Sequence, residues 1–323
     1  DIKREKLVDP LCGAEDVEKK LLRTTRAAEG VFSEDGLRIM RLIRFVSTLG
    51  FTPDGEAVLA AKKLSGRLKD VSAERIRDEL DKTLKGANVV NAMQLMLSTG
   101  ALRQVIPELA ENEGVEQPAN VHKYDALTHA FHTAAEARED IKLAALLHDV
   151  GKAEAIKKDG NMHSHAEYGA ALAKEITRRL KYPNAVIAET EAQIREHMYD
   201  VNANARESKL RRFVARNIGH IDKLIALVRA DSKGTGLFDD CPRADRFQAT
   251  YDKMKENDIP FTVRQLDVNG DDIKKLGFKG EEIGKALDLL LTECIDGRLK
   301  NERAALINAA ARLARGTVYK DEL

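Results

Sequence analysis

Residues 141–150 read IKLAALLHDV, an apolar helix closed by the polar pair His148-Asp149 and followed by Gly151-Lys152. Apolar residues on nearly every face make this a central helix, so the imidazole and the carboxylate at its end are buried. Burying both without partners is costly. A divalent transition metal removes that cost, because neutral imidazole nitrogen and carboxylate oxygen are both good ligands for one. A capped helix end with an ordinarily hydrogen-bonded histidine is the alternative. The wider constellation favours the metal. His129 lies upstream, His165 and His197 lie downstream, and Asp231 ends a further apolar run, Leu224 to Ala230. Six candidate ligands, His129, His148, Asp149, His165, His197 and Asp231, on five segments could hold two cations. Such a site would activate a water to attack phosphorus in line, with the metals stabilising the attacking and leaving oxygens. Asp149 would be the shared ligand, and Lys152 would steady the phosphate. The histidine-rich set favours manganese, iron, nickel or cobalt over magnesium. His132 sits one turn from His129 and shares its face, whereas His122, His163 and His220 are expected in loops or on the surface.

The pattern His129, His148-Asp149, Asp231 resembles the HD superfamily of metal-dependent phosphohydrolases, and His165 and His197 match the additional histidines of its two-metal members. A second resemblance runs along almost the whole chain. Residues 33–51, SEDGLRIMRLIRFVSTLGF, are similar to the neck helix of bacterial class II tRNA nucleotidyltransferases and poly(A) polymerases. Glu34-Asp35-x-x-Arg38 matches that family's nucleotide-selecting motif, which implies nucleotide binding by Asp35, Arg38 and Arg41. The chemistry is consistent. A carboxylate accepts from the exocyclic amine of cytosine or adenine, and a guanidinium donates to the neighbouring ring nitrogen or carbonyl. A surface ion pair one helical turn apart, in a first turn capped by Ser33, is the plainer reading. Arg75-x-x-x-Glu79 matches the motif that braces the selecting helix, and it also reads as an ordinary i,i+4 salt bridge. The segment from Asp9 to Thr24 resembles the last element of the family's catalytic head, and the segments 279–284 and 296–303 resemble its body helices.

The family's Gly-Ser loop and paired carboxylates, which hold the magnesium ions of polymerisation, have no counterpart here. The expectation is therefore the rear part of a longer enzyme, whose nucleotide addition needs a head preceding Asp1. The fold expected is mostly α: a strand-containing head remnant over 1–30, a helical neck and body over 31–120, an all-helical HD metal domain over 121–235, and a helical tail over 236–323. Breakers and caps place these edges. The polar stretch Glu111 to Asn120 bounds the metal domain on one side and Gly234-Thr235-Gly236 on the other. Thr262 with Gln265 forms a capping-box pattern, and Asn269-Gly270 turns the chain.

A length of 323 residues is more than one typical domain, and 43% hydrophobic content fills a core. Three distant cysteines, Cys12, Cys241 and Cys294, support neither a disulfide framework nor a cysteine-based zinc site. A reducing, cytoplasmic location follows, with no membrane partner, since no apolar run approaches a span. The terminal Lys320-Asp321-Glu322-Leu323 spells a retention signal of the endoplasmic reticulum; without signs of secretion it reads as coincidence. With 53 basic and 53 acidic residues the net charge is zero, so nucleic-acid affinity needs local basic surface. Arg206, Lys209, Arg211, Arg212 and Arg216, and separately Arg38, Arg41 and Arg44, could supply it. Three readings stand: a CCA-adding tRNA nucleotidyltransferase acting on the tRNA 3′ end with CTP and ATP, with an auxiliary phosphoesterase; a free-standing metal-dependent phosphohydrolase; and a non-catalytic RNA-binding body with a structural metal.

Overall fold

A computed structural model describes residues 8–318. The terminal Lys-Asp-Glu-Leu lies outside the described residues. By its internal contacts the chain divides into two compact units, one running to Tyr199 and including Ala226–Cys241, the other comprising Asp200–Ile225 and the chain from Pro242 onward. Contacts therefore do not divide the chain at 120, and residues 200–225 group with the C-terminal unit rather than with the six candidate residues.

The first unit opens with α1 (Gly13–Glu18), β1 (Leu21–Leu22), α2 (Ala28–Glu34), α3 (Leu37–Leu49), β2 (Thr52–Pro53) and α4 (Gly55–Leu64). Asp9 caps α1 by accepting from the Gly13 and Ala14 amides, each at 2.8 Å. β1 and β2 pair in parallel, Leu21 opposite Thr52 and Leu22 opposite Pro53. The strand expected near the N-terminus is thus tied to the exit of the neck. α3 is helical because its apolar residues recur every three or four positions, and Leu37, Met40, Ile43 and Val46 are all buried. It stops at Gly50, whose φ of 66° permits the left-handed cap that returns its amide to the Val46 carbonyl. The expected start at Ser33 is displaced. Ser33 and Glu34 close α2, and the chain breaks at Asp35, which is extended.

The unit continues through α5 (Ala73–Leu84), α6 (Val89–Ser98), α7 (Ala101–Val105), α8 (Pro107–Ala110), α9 (Ala126–Glu136), α10 (Lys142–Leu147), α11 (Lys152–Asp159), α12 (His165–Arg179) and α13 (Asn184–Glu196). One continuous apolar core runs through this unit, from Phe32 and Ile43 through Met93 and Leu109 to Phe131, Leu147 and Leu227.

The second unit contains α14 (Glu207–Arg216), the start of α15 (Ile221–Gly234), α16 (Pro242–Glu256), α17 (Gly270–Lys274), α18 (Glu281–Ile295) and α19 (Arg303–Val318). Its C-terminal helices pack around Ile273, Leu290 and Leu306. The capping box of Thr262 and Gln265 is present, although it opens a single 3-10 turn, and Asn269 starts α17 by accepting from two backbone amides. Two residues of the basic row are in ion pairs, Arg211 with Glu207 at 2.5 Å and Arg212 with Asp296. Among the described residues no helix is long and apolar enough to cross a membrane.

Candidate functional site

The six expected ligands converge in the first unit from five elements. His129 comes from the first turn of α9, His148 and Asp149 from the end of α10, His165 from the start of α12, His197 from the end of α13, and Asp231 from α15. Their ligand atoms form two groups, His129–His148–Asp231 and Asp149–His165–His197. In the first group His129 Nε2 lies 3.1 Å from both His148 Nε2 and Asp231 Oδ1. Asp149 bridges the groups. Its Oδ2 is 3.1 Å from His148 Nε2, and its Oδ1 is 3.3 Å from His165 Nε2 and 3.8 Å from His197 Nε2. All but Asp231 are buried, so that carboxylate marks the open side.

Protonation follows from the second ring nitrogens. Nδ1 of His148, His165 and His197 lies 2.8, 2.6 and 2.6 Å from the carbonyls of Ala145, Met162 and Ile194 respectively. A carbonyl only accepts, so each Nδ1 carries the proton and each Nε2 keeps its lone pair when the ring is neutral. The Nε2 atoms of His165 and His197 are buried without a hydrogen-bond partner, facing a carboxylate oxygen. Two sets of lone pairs opposed in a low-dielectric interior repel. A cation between them turns that repulsion into ligation, and the donor set suits a divalent transition metal.

The site's charges are mutually supported. Burial opposes ionisation of Asp149, but His148 and Lys152 outweigh it and hold the carboxyl well below its ordinary range. Burial likewise opposes charge on His148, yet Asp149 and Asp231 raise it to about 10. His197 is pushed down, chiefly by burial. Lys152 is itself buried, with Nζ 2.5 Å from Asp149 Oδ2 and donating also to Gln117 Oε1. Its ammonium is a fixed charge at the wall of the centre.

In the neck, the nucleotide-selecting candidates lie together at the α2–α3 junction. Asp35 is not on the helix: its Oδ1 accepts from the Leu37 amide at 3.0 Å and its Oδ2 from Arg75 Nη2 at 2.9 Å. Burial opposes its ionisation, but Arg75 and the Leu37 amide hold the carboxyl below its ordinary value. Arg38 Nη1 donates to the Val31 carbonyl and to Glu34, so the surface pair Asp35–Arg38 does not form. Arg41 is exposed on α3. The i,i+4 pair Arg75–Glu79 does not form either. Arg75 reaches Asp35, whereas Glu79 takes Arg44 at 3.1 Å, so both residues of α5 brace the α3 region across the interface between elements.

Comparison with known proteins finds two family models in the chain. A family model described as the probable RNA- and SrmB-binding site of polymerase A covers residues 50–113, and the HD domain model covers residues 108–228. The A-adding tRNA nucleotidyltransferase of Deinococcus radiodurans is 33% identical over 243 residues, which are 70% of this chain and 55% of that protein. The chain belongs to the tRNA nucleotidyltransferase and poly(A) polymerase family. It spans little more than half the length of that relative. Among solved structures, the Bacillus stearothermophilus CCA-adding enzyme in complex with CTP matches 98% of this chain and 70% of its own, with a TM-score of 0.66 and 21% identity. A CCA-adding enzyme in an apo form matches 95% and 65%, with a TM-score of 0.56 and 14% identity. At these identities the likeness is one of fold.

Family members' shared pattern does not by itself expose the parts of the site that the expected linker supplies. Asn112, inside the stretch read as a polar boundary, is buried: its Nδ2 donates to the Val150 carbonyl at 3.1 Å and its Oδ1 accepts from the Ala153 amide at 3.0 Å. The turn after His148-Asp149 is thereby pinned from both sides. Gln117 holds Lys152, and His122, expected in a loop or on the surface, is in a loop but half-buried with its ring against His129. Burial, then His129 and Lys152, push His122 down to about 4. His132, expected to share the face of His129, stacks instead on Tyr124, ring centroids 4.1 Å apart. Gly151 sits where two backbone segments approach closely. Its φ is −80°, and a Cβ there would lie 2.2 Å from the His165 carbonyl and 2.3 Å from the Gly169 amide. Backbone leaves no room for a methyl group, so Gly151→Ala is expected to cost about 3 kcal/mol. Thermal unfolding of the metal-free protein checks this; an unchanged midpoint would show that α12 moves freely.

Proposed function

We propose that this chain supplies the nucleotide-selecting neck, the body and the HD domain of a tRNA nucleotidyltransferase that builds the tRNA 3′ end, with CTP and ATP as substrates for CCA addition. The 33% identity to a tRNA nucleotidyltransferase carries this reading. The neck geometry supports it, because Asp35 and Arg38 are held by other groups rather than by each other. Asp35 and Arg38 read the Watson–Crick edge of the incoming base, and Arg41, one turn on, adds positive charge beside it. Polymerisation itself requires a magnesium-binding head. The experiment is extension of a tRNA lacking its 3′ terminal nucleotides by the full-length native protein with CTP and ATP; absence of any added nucleotide would remove the proposal. The setting implied is the cytoplasm.

A second activity is favoured by the four histidine Nε2 atoms that face the two oxygens of Asp149. The HD centre hydrolyses phosphoesters of nucleotides or RNA ends. Divalent cations, when bound, supply an acidic water and offset charge on the attacking and leaving oxygens. The chain's own part is to present Nε2 of four histidines and two carboxylates in fixed orientation, while Lys152 offsets charge on the phosphate. Manganese, iron, nickel and cobalt suit these donors. Metal binding must displace the proton of His148, which is held up to about 10. Affinity is therefore expected to rise with pH through the neutral range. Calorimetric titration with cobalt in buffers of different ionisation enthalpy reads the proton released; a buffer-independent heat would contradict it.

A further inference from the structure

His148, His165 and His197 are each aligned by a backbone carbonyl three residues earlier. His129 is not. Its Nδ1 is buried without a hydrogen-bond partner, although ligating histidines almost always bond through their second nitrogen. The ring lying against it is that of His122, centroids 4.7 Å apart and planes at 76°, and His122 Nδ1 is likewise buried and unpartnered. His122 belongs to neither ligand group.

The loop that carries His122 is firmly seated. The His122 amide donates to the Pro118 carbonyl and the Lys123 amide to the Thr235 carbonyl, both at 3.0 Å. Gln117 Nε2 donates to the Tyr124 carbonyl at 3.1 Å, and Tyr124 stacks on His132. Thr235 is one turn beyond Asp231, and its amide donates to the Asp231 carbonyl at 3.2 Å. His122 is thus fixed to the helix that carries one ligand while its ring bears on another. The imidazole χ2 torsion is soft, and each of these two contacting rings has a buried nitrogen without a partner.

We propose that His122 is the positioning residue of His129, supplying from a loop the alignment that backbone carbonyls give the other three histidines. The inference rests on the reading of this centre as a metal site. It is specific to the group His129–His148–Asp231, and it gives His122 no contact with substrate.

The test is cobalt(II) binding to the whole protein, followed by titration and by the visible absorption of the bound ion. His122→Phe keeps an aromatic ring against His129 but removes its nitrogens; His122→Gln keeps a hydrogen-bonding group. Expected is a roughly 10- to 100-fold weaker affinity and an altered spectrum for His122→Phe, with affinity substantially restored in His122→Gln and the far-ultraviolet circular dichroism unchanged in both. Wild-type affinity and spectrum in a folded His122→Phe protein would overturn the proposal. Should that variant not fold, equal weakening in a folded His122→Gln and His122→Ala would overturn it too, since a side chain able to hydrogen-bond would then be no better than none. Failure of the unmodified protein to bind cobalt would instead remove the metal-site reading on which the inference rests.

Discussion

Asp149→Ala is expected to leave the protein without tightly bound divalent metal and without any phosphoester hydrolysis. The reason is geometric. One oxygen faces His148 at 3.1 Å and His129 at 3.6 Å, and the other faces His165 and His197, so a single carboxylate serves both ligand groups. It is also the only carboxylate partner of the buried Lys152 ammonium among the described residues, at 2.5 Å. Truncation to alanine would strand that charge, which costs roughly 3–5 kcal/mol. Lost metal in the alanine variant could then reflect misfolding. Asp149→Asn separates the two effects, because the amide keeps the volume and an acceptor for Lys152 but removes the negative charge that holds cations. Metal content of the purified variants by elemental analysis, beside their thermal unfolding, decides the matter. A folded Asp149→Asn protein with full metal content would mean that Asp149 is not a shared ligand.

The six residues that converge here were legible because their chemistry is local to each residue. A histidine beside an aspartate at the end of an apolar helix is buried with its helix, and distant histidines and a second helix-terminal aspartate are the natural complement. What surrounds them was not legible. Asn112 and Gln117 sit in a stretch of polar residues, glycine and proline that reads as a boundary, and nothing in composition distinguishes a polar segment that is solvated from one folded inward to pin a turn. Gly151 follows the apolar helix in sequence, but its role, to let two backbones touch, is set by the packing of α12. His122 could have been noticed as a histidine seven residues before a ligand, but contact between a loop and a helix face is set by tertiary packing.

The mostly helical fold followed from periodicity, and the α3 core face lies where the apolar spacing puts it. The junction preceding α3 did not follow. Helix signals extend continuously through Ser33, Glu34 and Asp35, and sequence spacing pairs Asp35 with Arg38 and Arg75 with Glu79 along their own helices. A long-range choice overrides both. Arg75 pairs with Asp35 and Glu79 with Arg44, so two pairs that would be exposed and weak within a helix become ties between elements, one of them partly buried. Pattern reading weighs neighbours three and four apart and cannot weigh a partner forty residues away.

That exchange of partners makes Asp35 the position at which substitution should most change nucleotide choice. In a head-containing protein, Asp35→Ala is expected, on the proposed function, to lower discrimination of CTP and ATP against GTP or UTP by about 5- to 150-fold, equivalent to roughly 1–3 kcal/mol for one well-formed base-edge contact. Part of any effect could come from the lost bond to the Leu37 amide, which shapes the entry to α3. Asp35→Asn addresses this, because its amide oxygen can keep that bond while its nitrogen presents a donor where the carboxylate accepted. Arg75→Ala provides the other comparison: it leaves Asp35 and its backbone bond intact and removes only the brace at 2.9 Å. If Asp35 reads the base, Asp35→Asn should lose discrimination with little loss of stability, and Arg75→Ala should lose less of it. If the carboxylate serves only to close the α2–α3 junction, Asp35→Asn should retain full fidelity. Single-nucleotide incorporation into a tRNA acceptor, measured for all four nucleotides with each variant, separates a residue that recognises the base from one that shapes the neck.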